Sequence, residues 1–140
     1  MNQFLRPILL VEDNPMDVDL TIRAFRKRKL SNEIIVARDG EEALSFVSKW
    51  TNGETLPLVI LLDINLPKVS GLEVLRIFKE NPVIQKIPIV ILTTSKEDKD
   101  VAKAYELGAN SYIVKPVDFD NFMNVAEQVE LYWAIINYTG

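Results

Sequence analysis

Apolar residues along this chain come in two textures. Short unbroken runs alternate with stretches in which an apolar residue recurs every three or four positions. The runs predict strands near 7–11, 33–37, 57–62, 87–92 and 110–114, and the periodic stretches predict helices between them. Strands that are apolar throughout suit a sheet covered on both faces. The strand–helix alternation therefore predicts an α/β fold, a doubly wound five-stranded parallel sheet with helices on both faces.

The first helix opens with Asn14 as N-cap, Pro15 at the first helical position and Asp17 in the first turn. Its apolar residues repeat as Met16, Leu20, Ala24 and as Val18, Ile22, Phe25, and its basic end suits the helix dipole. A second helix is expected from about Asp39 to Trp50, followed by the polar loop Asn52-Gly53-Glu54-Thr55. The third follows Gly71, carries Leu72, Leu75 and Phe78, and stops at Asn81-Pro82. The fourth spans Glu97 to Leu107 and ends at Gly108. The last, from about Asp118, aligns Phe122, Val125, Ala126, Val129, Trp133 and Ile136 on one stripe. Because Leu131 to Ile136 is apolar without a break, Tyr132 or Ile135 is expected to stay exposed or meet a partner unless the chain end folds back and covers itself.

Composition narrows the chemistry. The 140 residues, 48% of them hydrophobic, fit one domain, 1–140, and leave no room for a second. No apolar stretch is long enough to span a membrane and no signal peptide is evident, so a soluble, cytoplasmic protein is expected. A net charge of −4 weighs against nucleic acid as a partner. With neither cysteine nor histidine, chemistry falls to carboxylates, hydroxyls and lysine.

Those groups stand at the ends of the apolar runs: Glu12 and Asp13 after the first, Asp63 after the third, Thr93 after the fourth and Lys115 after the fifth. Strands of a parallel sheet share one direction, so these ends converge on one edge. Three carboxylates brought together there repel one another, and a divalent cation relieves the conflict. An all-oxygen donor set suits Mg2+. Asp63 would be the nucleophile toward a phosphoryl group, with Lys115 supplying positive charge and Thr93 a hydroxyl. Each residue alone also has an ordinary explanation. Asp63 could cap a turn, Glu12 and Asp13 the first helix and Thr93 the fourth, while Lys115 could pair with a carboxylate. All four strand ends carrying such groups by accident is far less probable than any one of them.

The segments Ile8-Leu9-Leu10-Val11-Glu12-Asp13-Asn14, Leu62-Asp63-Ile64-Asn65-Leu66-Pro67 through Gly71, Leu92-Thr93-Thr94-Ser95, and Gly108-Ala109 through Tyr112 to Lys115-Pro116 resemble the receiver domain of two-component response regulators. The resemblance implies a flavodoxin-like strand order 2-1-3-4-5 and transfer of a phosphoryl group from a sensor histidine kinase to Asp63 with Mg2+. It further implies direct metal ligation by Asp13, Asp63 and the backbone carbonyl of Asn65, with Glu12 acting through water. Thr93 and Lys115 would contact phosphoryl oxygens, Tyr112 would be an aromatic switch following Thr93, and Lys115-Pro116 would be a cis peptide. Glu12 stands where Asp is more frequent. The loop from Ser48 to Pro57 and the Tyr132-Trp133 end resemble regulators that partner phytochrome-type kinases, which implies a homodimer through the last helix.

Three other classes compete. An aspartyl phosphatase on a similar sheet needs an acid two residues beyond the nucleophile, where this chain has Asn65. A nucleotide or flavin binder needs glycine-rich turns at helix starts, and only Gly71 lies near such a junction. A pseudo-receiver, acting only as an interaction module, fits poorly with an intact acidic trio.

Overall fold

Strand β1 (Ile8–Val11) is an interior strand of a five-stranded parallel sheet, second from one edge. Its neighbours are β2 (Ile34–Ala37) and β3 (Val59–Leu62), and β4 (Ile89–Thr93) and β5 (Ser111–Val114) extend the sheet beyond β3. The order β2-β1-β3-β4-β5 is the expected one. The computed structural model describes residues 6–27, 32–115 and 120. The expected last helix, its dimer face and the Lys115-Pro116 bond lie outside the described residues.

β1 shows why the runs are apolar throughout. Leu9 and Val11 point into a core on one face with Ile60, Leu62, Leu75, Phe78 and Ile91. Ile8 and Leu10 point into a core on the other face with Val18, Phe25, Val59, Leu61 and Leu92. Both sets are buried, so neither side of the strand can be polar. Helix α1 (Pro15–Lys27) supplies Val18 and Phe25 to the second core. The Asn14 carboxamide caps it as expected, accepting from the amides of Met16 at 2.9 Å and Asp17 at 3.3 Å. Only one of its two apolar repeats turns inward. Met16 and Leu20 are 74% and 53% exposed, and buried Thr21 fills the inner face instead, donating its hydroxyl to the Asp17 carbonyl.

The second helix is two. α2 (Gly40–Leu44) and α3 (Phe46–Thr51) meet at Ser45, whose hydroxyl donates to the Glu42 carbonyl. Ser45 keeps helical φ and ψ of −63° and −19°, and its hydroxyl bond marks the joint in a periodicity that runs on through the sequence without glycine or proline. Trp50 in α3 is buried edge-on against Phe78 of α4 (Gly71–Glu80). A 3₁₀ turn at Ile84–Lys86 precedes β4, and α5 (Asp98–Glu106) ends at Gly108, whose φ of 107° is open to glycine.

α4 begins one residue earlier than expected, with Gly71 as its first residue and Ser70 as N-cap. A Cβ at Gly71 would lie 2.0 Å from the Asp63 carbonyl oxygen, so only glycine lets α4 press against the loop after β3. This contact fixes the backbone on which Asp63 sits.

Candidate functional site

The strand register puts Val11 beside Leu62 and Thr93 beside Val114, so the residues that follow share the C-terminal edge of the sheet. The Asp63 amide donates to the Val11 carbonyl at 3.1 Å, and the Lys115 amide to the Thr93 carbonyl at 2.8 Å. Each side chain of interest thus leaves from backbone held by the sheet. One carboxylate oxygen each of Glu12, Asp13 and Asp63 lies within 4.8 Å of the others. Glu12 and Asp63 are buried, while Asp13 is exposed at the mouth.

Lys115 answers this crowding. Its ammonium contacts Glu12 and also donates to Asp63 Oδ2 at 2.9 Å and Asp17 Oδ2 at 2.8 Å. An ammonium has three donors, and here each meets a carboxylate. Burial pushes the Glu12 carboxyl up to about 7 against the opposing pull of Lys115. Burial works against the Lys115 charge, but its contacts with Asp17, Glu12 and Asp63 outweigh burial and hold its pKa above the ordinary lysine value. The pocket is therefore short of positive charge even with Lys115 in place. Its all-oxygen acidic donors fit a hard divalent cation, which Glu12, Asp13 and Asp63 could hold.

The remaining candidates stand around this core. Asn65 is exposed. Its amide donates to Asp63 Oδ1 at 3.0 Å, an Asx turn that orients the carboxylate, and its side chain reaches the Thr93 hydroxyl at 3.4 Å. Thr93 is fully buried, and its hydroxyl also lies 3.4 Å from the Ser95 amide. Tyr112 is half-buried and donates its phenol to the Ser95 carbonyl at 3.0 Å, next to the Ser95 hydroxyl bond to Asp100. The ordinary roles coexist with the chemical ones: Asp63 does orient a turn, and Lys115 does pair with carboxylates.

Asp17, which the sequence marks only as an acid in the first turn of α1, is the third partner of Lys115. The signal was its position in the first turn of the helix that starts directly after Glu12 and Asp13, at the same end of the sheet as the site.

A family model described as the response regulator receiver domain matches residues 8–127. The chain is 41% identical over 127 residues to the probable methanogenesis regulatory protein FilR2 of Methanothrix harundinacea, covering 90% of this chain and 82% of that one. It is 38% identical over 128 residues to response regulator Rcp1 of Synechocystis, covering 90% and 87%. The structure of the bacteriophytochrome response regulator AtBRR is similar with a TM-score of 0.83 at 47% identity, over 95% of this chain and 98% of that one. The Mn(2+)-bound form of Rcp1 is similar with a TM-score of 0.74 at 37% identity, over 92% and 94%.

Proposed function

The chain belongs to the response regulator receiver family of two-component signalling, and from that premise we propose that Asp63 accepts a phosphoryl group from a sensor histidine kinase in a Mg2+-dependent reaction. One observation carries the proposal. A buried carboxylate, Asp63, is held by the Asn65 amide on one oxygen and the Lys115 ammonium on the other, beside two further acids able to share a cation.

In this account an oxygen of Asp63 attacks phosphorus while the bond from phosphorus to the donor imidazole nitrogen breaks, and the electron pair leaves with that nitrogen. The product is an acyl phosphate. Glu12, Asp13, Asp63 and the Asn65 carbonyl would hold Mg2+, which when bound neutralises charge on the phosphoryl oxygens. Lys115 lends the other positive charge, and the Thr93 hydroxyl donates to a phosphoryl oxygen. Asn65 offers an amide where an aspartyl phosphatase has an acid, so the phosphorylated form should turn over slowly. The binding of Mn2+ by Rcp1 supports a divalent cation here. Likeness to a bacteriophytochrome response regulator supports a phytochrome-type kinase as the donor. Among the described residues no helix is long and apolar enough to cross a membrane, and membership of the receiver family supports a reaction in the cytoplasm.

Output would follow from Thr93 and Tyr112. Drawing the Thr93 hydroxyl toward a phosphoryl group frees space behind it, and Tyr112 turns in on giving up its bond to the Ser95 carbonyl. A partner that prefers this form then binds it better. A full switch, from about 1:99 to about 99:1, needs roughly 5.5 kcal/mol of preference.

The test is the intact mass after incubation with acetyl phosphate, with and without Mg2+. A gain of one phosphoryl group is expected in the wild type with Mg2+ and none in Asp63→Asn. Equal labelling of Asp63→Asn would remove Asp63 from its role.

A further inference from the structure

Lys115 holds three carboxylates, and only two of them belong to the acidic trio. The third, Asp17, comes from α1, and its placement is built rather than incidental. The Asn14 carboxamide accepts from the Asp17 amide, and the Asp17 carbonyl takes the hydroxyl of buried Thr21 at 2.8 Å. The helix cap thereby sets where the Asp17 carboxylate stands. Its side chain is 29% exposed, whereas those of Glu12 and Asp63 are 2% and 7% exposed.

This asymmetry matters when the pocket changes its charge. A divalent cation held by Glu12, Asp13 and Asp63 draws on the same carboxylates that now neutralise Lys115, and two cations sharing them repel. The ammonium, its side chain only 7% exposed, then needs a counter-charge that is not committed to the metal. Among the described residues Asp17 is the carboxylate in contact with Lys115 that lies outside the trio.

We propose that Asp17 is a positioning residue that retains the Lys115 ammonium at the pocket wall when Glu12 and Asp63 turn to a divalent cation, easing cation entry and leaving Lys115 aimed at the incoming phosphoryl group. The inference rests on the phosphoacceptor reading for its last step only. The coupling between Asp17, Lys115 and the cation stands on the geometry of the pocket.

The test is a double-mutant cycle on the full chain with Mg2+ affinity read by titration calorimetry for wild type, Asp17→Asn, Lys115→Met and the double variant. Asp17→Asn should weaken Mg2+ by about five-fold when Lys115 is present and by less than about two-fold in the Lys115→Met background, a non-additivity expected of groups in one network. Equal weakening in both backgrounds would reduce Asp17 to a through-space charge and overturn the proposal, as would no weakening at all. Should Lys115→Met fold poorly, Lys115→Gln serves the same leg of the cycle. At saturating Mg2+ the initial rate of acetyl phosphate labelling should fall about ten-fold in Asp17→Asn and recover in Asp17→Glu, which restores the charge. A wild type that shows the Mg2+ coupling yet never gains phosphoryl mass would sink the phosphoacceptor reading while upholding the Asp17 coupling.

Discussion

Two lysines close opposite edges of the same sheet, and their surroundings set them apart. Lys79, at the end of α4, donates to the carbonyls of Gln85 at 3.2 Å and Ile87 at 3.1 Å and to the Asn110 side chain at 3.3 Å. Lys115, after β5, meets Glu12, Asp17 and Asp63. Both find three oxygen partners. The difference lies in charge: neutral acceptors leave burial to pull the Lys79 pKa down, while three carboxylates lift that of Lys115 despite burial. Lys79 ties α4 to the segments entering β4 and β5, and Asn110 completes the clasp by accepting from the Ile89 amide at 2.9 Å. Burial and full hydrogen bonding alone thus describe a structural lysine. Surplus negative charge around the ammonium sets the other edge apart, and it is there that the proposed cation and phosphoryl chemistry would run.

Exchanging each lysine for methionine sharpens this contrast. Lys115→Met should lower the rate of acetyl phosphate labelling by about 100-fold or more, the scale of losing one preorganised charge partner. Lys79→Met should leave that rate within about two-fold and instead lower stability by about 1–3 kcal/mol, measured by urea unfolding, because the part-buried Ile87 carbonyl loses its donor and the clasp on Gln85 and Asn110 opens. A labelling defect in Lys79→Met would break the division between the edges.

The acidic edge should also betray itself in pH. Burial raises Glu12 in the folded protein from its ordinary 4.5 to about 7, so the folded state holds a proton that the unfolded state has released. The stability this contributes is complete below 4.5 and is lost as pH rises through about 7. Metal-free melts from about pH 5 to about pH 8 should therefore show stability falling, by at most about 1.4 kcal/mol per pH unit from this group, and Glu12→Gln should flatten the slope. Added Mg2+ should raise stability most at the upper end, where Glu12 is ionised. The smallest effect is expected at Tyr112, where Tyr112→Phe removes one bond to the Ser95 carbonyl and should cost about 0.5–1.5 kcal/mol in unfolding free energy.

The sheet was legible because its strands are apolar on both faces and each ends at a polar residue. Glu12, Asp63, Thr93 and Lys115 could be found from that alone. What escaped depended on competition between local bonds and tertiary packing. The helix expected from Asp39 to Trp50 divides at Ser45, whose hydroxyl bonds the Glu42 carbonyl, although no glycine or proline announces the joint. Met16 and Leu20 repeat at helical spacing but face solvent, since the core accepts Val18, Thr21 and Phe25 from α1. Asp17 was hidden for a similar reason. A first-turn acid suits a helix dipole, and that sufficient explanation masked a partner 98 residues away.

The central claim is that the acyl phosphate forms on Asp63. Borohydride reduces an aspartyl phosphate to homoserine, and trypsin should release Asp63 within the peptide Trp50–Lys68. After incubation with acetyl phosphate and Mg2+, tandem mass spectrometry should find homoserine at position 63, and without Mg2+ it should find aspartate there. Homoserine at Asp13 or Asp17 with position 63 intact would contradict the account.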